Sequence, residues 1–458
     1  MDDRILAHGL GGAKDLPLPL ALTVAGAVAA LVISFTVLAL AWREPRYDSA
    51  TSGRPAPEWL DRLVSSTAWR VWWRVFGMAW LLYVGWAAVA GSDTLINPTL
   101  GVFYVLLWVG IVPLSVLLGP VWRAISPSRT INLLLAKVSG SDPDVGLYTY
   151  PPRLGYWPAA VGLFAFVWLE LVHPGSTDVG TVRLWFATYL GIMLIGGALF
   201  GNRFYAHADP FEVYSSLCAK LSVWGRRDGS VETVAGRPDE DSRLVLRSPL
   251  ANLDTTDARP GLVAVVAVLF GSTAFDSFRE STPWVKFIQS SSLESTLLSN
   301  LGLLGFCAGV GLVLAIGTMA TGLRAVGEDG GIRRSTLPDL FAHSVIPIIV
   351  GYIVAHYLTY FVMVGQMTLI QLSDPLSRGD DLLGLSDMTV NPWLSYHPTF
   401  VATVKVLAVV TGHVLGVVAA HERAVRLLPV RHQLTGQLPL LFAMVGFTVG
   451  GLYLLFAA

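Results

Sequence analysis

The chain of 458 residues has a mean hydropathy of +0.58 and only 14% charged residues, against roughly 25% in a soluble domain. Its net charge of −1 gives no electrostatic basis for binding nucleic acid or drawing in an acidic substrate. The two cysteines, Cys218 and Cys307, lie far apart in sequence and in predicted depth, which argues against a disulfide framework.

Several apolar runs exceed the ~20 residues that cross the hydrocarbon core as a helix. The expected fold is therefore all-α: a polytopic transmembrane bundle, with 1–458 as a single transmembrane domain. Spans are predicted at 18–42, 71–90, 99–122, 156–173, 182–200, 261–276, 296–323, 340–370, 398–420 and 438–457. The first run begins near Leu16, is too long for a cleavable signal and has no small-residue cleavage pattern behind it. Breaks such as Asn97-Pro98, His173-Pro174-Gly175 and Arg259-Pro260-Gly261 separate later spans.

Orientation is read from lysine and arginine in the loops. The loops after odd-numbered spans carry Arg43, Arg46, Arg54, Arg123, Arg129, Lys137, Arg226, Arg227, Arg333, Arg334, Arg423 and Arg431. Stretch 91–98 has none, and loop 372–397 sets Arg378 against Asp374, Asp380, Asp381 and Asp387. The odd-to-even loops are thus expected in the cytoplasm and both termini outside, in a multi-pass plasma-membrane protein whose first partner is the lipid bilayer. Cytoplasmic loop 201–260 ends in a polar stretch, RRDGSVETVAGRPDEDSR, and begins with DPFEVYSSLCAKLSVWG, which has the spacing of an amphipathic interfacial helix. The segments GIVPLSVLLGPVWRAISPSRTINLLLAK (110–137) and GIMLIGGALFGNRFYAHADPFEVYSSLCAK (191–220) echo each other. That pattern fits either a duplicated unit or two membrane helices that each end in an interfacial helix.

Span eight, FAHSVIPIIVGYIVAHYLTYFVMVGQ, is unusually polar for a membrane helix. At 100° per residue His356 shares a face with Tyr352, Thr359, Tyr360, Met363 and Met367, while His343 points about 220° away. In span nine His413 falls at the depth of His356, and His421 falls near the inner boundary with His343. Gly412 and Gly416 beside His413 would let a neighbouring helix approach closely. Two readings of the middle pair stand side by side. His356 and His413 bind a ligand, either copper completed by Met363 or Met367 or a haem b held by two imidazoles. Alternatively, each ring satisfies a hydrogen bond and holds the bundle together. For His343 and His421, near Asp339 and Glu422, hydrogen bonding is expected. Lys405, ~10 Å inside span nine, either snorkels outward or pairs with a carboxylate at similar depth, Glu170 or Asp276. Gln366 extends the polar interior, and His8, His173 and His397 belong to outer loops.

No G-x-S-x-G, H-E-x-x-H, P-loop or C-x-x-C motif is present. At AHGLGGAKDLPLP, GYWPAAVGLFAFVWLELVHP, ADPFEVYSSL, VAVLFGSTAFDSF, HYLTYFVMVGQ and GHVLGVVAAHERA the chain resembles, nearly end to end, a family of bacterial polytopic membrane proteins commonly labelled fenitrothion hydrolase. That resemblance implies hydrolysis of an organophosphorus ester and brings no catalytic residue with it. The residues themselves support a protein that binds or moves a metal ion, copper first, or a small solute through a polar helix-bundle interior. The alternatives are a membrane enzyme, either a hydrolase or a haem or copper redox protein, and an assembly subunit with membrane-protein partners.

Overall fold

A computed structural model describes residues 12–49, 51–226, 242–321, 333–428, 433 and 435–456. His8, Arg227, Arg431 and most of the polar stretch after Arg226 lie outside these described residues. In chain order the helices that matter here are α1 (Leu20–Ala41), α2 (Thr67–Ala90), α3 (Ile111–Leu118), α4 (Val121–Ile125), α5 (Pro127–Ser139), α6 (Trp157–Leu171) and α7 (Val179–Phe200). There follow α8 (Asn202–Ala208), α9 (Pro210–Ala219), α10 (Leu262–Arg279), α11 (Ser295–Met319), α12 (Ile346–Gln371), α13 (Pro398–Leu427) and α14 (Leu438–Phe456).

Each of the ten predicted segments carries a helix. Eight helices among the described residues are long and apolar enough to cross a bilayer. The predicted third span is a bent pair, Pro98–Leu107 with α3, turned by 44°. Its cause lies in the backbone. Val102–Leu107 is π-helical, with i→i−5 bonds from Trp108 to Phe103 and from Gly110 to Val105. Pro113 then has no N–H for the carbonyl four residues back. The predicted fourth span is the 15-residue α6, at 1.5 Å per residue shorter than the ~30 Å hydrocarbon core.

The chain divides into two compact units: Met1–Ser52, Ser248–Thr359 and Trp393–Ala458 form one, Gly53–Arg247 and Tyr360–Pro392 the other. The division falls within α12.

In the first unit α10 packs along α11, α13 along α1, and α14 against α1, α11 and α13. The membrane-crossing window of α10 is 78% buried. Its sequence LVAVVAVLFGSTAFDSFR explains this placement: a helix apolar on every side belongs at the centre of a bundle. Glycines set the close crossings. A Cβ at Gly271 would meet Cys307 Cα at 2.6 Å. One at Gly351 would meet the Ala408 carbonyl at 2.4 Å, and one at Gly412 the Pro347 carbonyl at 2.5 Å. The first half of α12 and α13 are therefore neighbours at van der Waals distance.

In the second unit the echoing segments adopt the same backbone path. α3 ends at Gly119 (φ 92°, ψ −163°) and α7 at Gly201 (φ 65°, ψ −161°), a region that only glycine occupies without strain. A short helix follows, α4 or α8. Then Ser126 or Asp209 caps a new helix whose first residue is proline, α5 or α9. Packing is reciprocal, since α9 lies on α3 and α4 of the first segment while α5 lies on α7 of the second. The third residue after each cap, Arg129 and Glu212, meets its counterpart in a buried two-pronged ion pair, Nε–Oε2 and Nη2–Oε1 both 2.6 Å. The fourth residue before each cap is aromatic and reaches the other segment: Trp122 Nε1 donates to Asp209 Oδ2 (3.1 Å), and the Tyr205 hydroxyl donates to the Ser128 carbonyl (3.3 Å). Helix α9, expected to lie on the inner surface with one face exposed, is instead buried along nearly its whole length. Its apolar residues fall on every side, and the polar ones, Glu212 and Ser215, find partners within the unit. A small antiparallel sheet of order β1-β3-β2, with β1 at Arg54–Pro55, β2 at Trp224–Arg226 and β3 at Leu244–Leu246, closes this unit.

Candidate functional site

The first unit gathers its polar side chains where α12 crosses α10. His356 stands on α12 with both ring nitrogens engaged by adjacent residues of α10. Nε2 lies 2.9 Å from Asp276 Oδ2 and Nδ1 lies 3.0 Å from Ser277 Oγ. The Tyr357 hydroxyl donates to the same Asp276 oxygen at 2.8 Å, and the Tyr352 hydroxyl lies 3.0 Å from Ser277 Oγ. All five side chains are buried. The spacing explains the convergence. Tyr352 and His356 are one turn apart and stack with ring planes 12° from parallel, while Tyr357 swings in beside them.

The donors can be assigned from this network. An ionised Asp276 accepts from His356 Nε2–H and from Tyr357. The neutral ring then offers Nδ1 as acceptor, so Ser277 donates to it and Tyr352 donates to Ser277. Ser277 Oγ also lies 3.2 Å from the Thr273 carbonyl, the alternative target for its one proton. The result is a continuous chain of hydroxyl, imidazole and carboxylate running from Tyr352 to Tyr357.

Glu280 ends α10 one turn beyond Asp276. Loss of surrounding water pushes its carboxyl up to about 7 and the Asp276 charge adds to this, while His356, Arg279 and Lys405 pull it down. Lys405 is buried on α13, and the carboxylates whose charge reaches it are Asp15 and Glu280. Glu170 belongs to the other unit, where its charge acts on Tyr214.

His413 is fully buried. Its Nδ1 binds the Val409 carbonyl of its own helix at 2.8 Å, and its Nε2 has no partner among the described residues. The two mid-depth imidazoles are thus not hydrogen-bonded to each other. Met363 and Met367, half-buried, and Tyr360 belong to the second unit with Gln366. Gln366 donates to the Val362 carbonyl (2.8 Å) and accepts from the Asn391 amide (3.0 Å), pinning the loop before α13. Among the described residues no three His, Cys, Asp or Glu side chains gather in a way that could hold a metal ion.

His343 and His421 have structural partners. His343 Nδ1 lies 3.0 Å from the Leu340 carbonyl. His421 bridges Gln437 Oε1 (3.1 Å) and the Trp42 carbonyl (2.8 Å). Beside it Glu422 accepts from Trp42 Nε1 and from the Arg46 and Tyr47 amides, fixing the chain that leaves α1.

Sequence reasoning singled out Asp276, His356 and Tyr352 but passed over Ser277, Tyr357 and Glu280. A signal was available, since Asp276 and Glu280 sit one turn apart at the end of an apolar helix and Ser277 and Tyr357 adjoin residues already chosen. No protein-family model, curated protein or solved structure matches the chain.

Proposed function

We propose that this is an integral multi-pass membrane protein that moves protons through the polar interior of the unit built from α10, α12 and α13. The observation that carries this reading is the unbroken Tyr352–Ser277–His356–Asp276–Tyr357 chain. Ionisable groups buried in membrane helices are costly, and they mark proton and ion paths. A proton entering at Tyr352 passes stepwise. Ser277 gives its proton to His356 Nδ1 and takes one from Tyr352, while His356 gives its Nε2 proton to Asp276. Each group gains one proton and loses one, until Asp276 is neutral. Glu280 and Lys405 continue the path toward the end of α10. Copper at His356 with Met363 or Met367, or a haem held by His356 and His413, would first have to break a bond that His356 makes with α10.

The test is proton entry into vesicles. The purified chain is placed in vesicles loaded with a pH-sensitive dye, and a potassium diffusion potential is imposed. Proton entry above that of protein-free vesicles is expected, lost in Asp276→Asn and His356→Ala and kept in His343→Ala. Wild-type entry equal to that of protein-free vesicles would sink the reading.

A second reading has one observation in its favour. Ser277, His356 and Asp276 are joined in the order of a hydrolytic triad, which agrees with the hydrolase activity that the family resemblance implies. Against it, Ser277 lies within α10, where neighbouring backbone N–H groups are engaged by the helix and cannot form an oxyanion hole. A fluorophosphonate probe separates the two. Labelling that disappears in Ser277→Ala supports hydrolysis, and an unlabelled Ser277 supports the relay.

A further inference from the structure

In the unit of Gly53–Arg247 and Tyr360–Pro392, the helix α2, the bent third segment and α7 leave a half-open crevice of about 260 Å³ between them. Along α2 it extends from Gly77 to Val89, ~18 Å at the helical rise. Gly77 closes one end: a Cβ there would strike the Ile125 carbonyl at 1.9 Å. Gly85 lies open in the middle, where an added Cβ would meet nothing within 4 Å. The π-helical turn carries Val102 and Phe103 into the wall.

The two ends differ in chemistry. The Gly77 end is apolar, with Ile125 and Pro127. The Ala88 end holds Arg183 and Thr99. The Arg183 guanidinium donates to the Ala88 carbonyl at 3.1 Å and has no carboxylate within salt-bridge distance among the described residues. Asp93, the acid beside it, accepts from the Val179 amide at 2.9 Å. The Thr99 hydroxyl is buried with no partner among the described residues. A long apolar slot with a cation at one end that makes no salt bridge among the described residues has the shape and charge of an amphiphile whose polar group is anionic. Arginine is well suited to a phosphate, which can accept two of its N–H groups at once.

We propose that the crevice holds one acyl chain of a phospholipid whose phosphate rests on Arg183. The site depends on the membrane residence argued above and is independent of the proton relay. It also touches the buried network of this unit, since Trp122 lines the crevice while its indole N–H binds Asp209.

The full chain, extracted from membranes and washed extensively in detergent, is assayed for organic phosphate, and its bound species are weighed by native mass spectrometry. Wild type is expected to keep a phospholipid through the wash. Arg183→Gln removes the charge, and Gly85→Leu puts a side chain into the slot at a position where its Cβ meets nothing within 4 Å. Each is expected to lower retention by roughly tenfold, while eluting and melting as wild type does. Equal phospholipid in all three proteins would overturn the proposal. So would a wild-type protein that keeps none, or one that keeps only a lipid without phosphate. Proton entry, measured as above, separates this outcome from failure of the relay.

Discussion

Asp276 accepts from two donors at one oxygen, and both donors sit on α12. Removing one donor from a buried carboxylate leaves its charge under-satisfied, which costs roughly 1–3 kcal/mol or somewhat more. His356→Ala is therefore expected to lower the unfolding midpoint in detergent markedly, with Asp276→Asn in the same background restoring much of the loss. An unchanged midpoint in His356→Ala would mean that the pair carries no stability. Asp209 makes a second prediction. Burial first, and the Glu212 charge second, push its carboxyl up to about 7, although Trp122, Tyr189 and two backbone amides donate to it. Because the folded value is raised, the folded chain holds a proton that the unfolded chain releases. The associated stability is full below the ordinary carboxylate range and is lost as pH rises through about 7. The midpoint should fall between pH 5 and pH 8 in wild type and fall less in Asp209→Asn. At this scale the sequence was legible only in part. His356 and Asp276 stood out because charge is rare in apolar runs, but depth along a helix does not say which neighbour a ring faces. Depth set His413 opposite His356, whereas the nitrogens of His356 are held by α10.

Helices were far more legible than their partners. All ten segments were visible as apolar runs, because length and hydropathy are properties of a stretch of chain. The burial of α9 was not visible, since most of its surroundings come from helices distant in sequence, α3, α4 and α6. The echo of 110–137 in 191–220 was legible as composition, and its geometric meaning emerges at two glycines. Gly119→Ala and Gly201→Ala force a Cβ into a backbone region costing of order 1–3 kcal/mol. Each should lower the midpoint, whereas Gly305→Ala, where an added Cβ meets nothing within 4 Å, should not. Similar effects at all three positions would show that the backbone region is not what matters.

At the scale of the whole molecule, the arginine and lysine asymmetry predicts orientation. Reporters fused after Arg227 and after Arg333 should be read in the cytoplasm, and one inserted within 376–390 outside. A cytoplasmic reading for 376–390 would reverse the arrangement. The described loop is compatible with an insertion there only at its exposed tip, because Asp381 is tied to Ser373 and to the Leu385 and Ser386 amides. The division of the chain into two compact units was not read from hydropathy, which is blind to which spans pack together.

The bond between Arg129 and Glu212 sets a condition on the two segments that meet there. The two residues occupy the same place in segments that follow the same path and embrace each other. Two identical copies of such a segment, meeting as separate molecules, would set arginine against arginine or glutamate against glutamate at this point. Opposite signs require segments that differ in sequence at this position, as these two do. The ion pair is thus one that two identical segments could not form, and exchanging its members, Arg129→Glu with Glu212→Arg, should preserve the fold that either change alone disrupts.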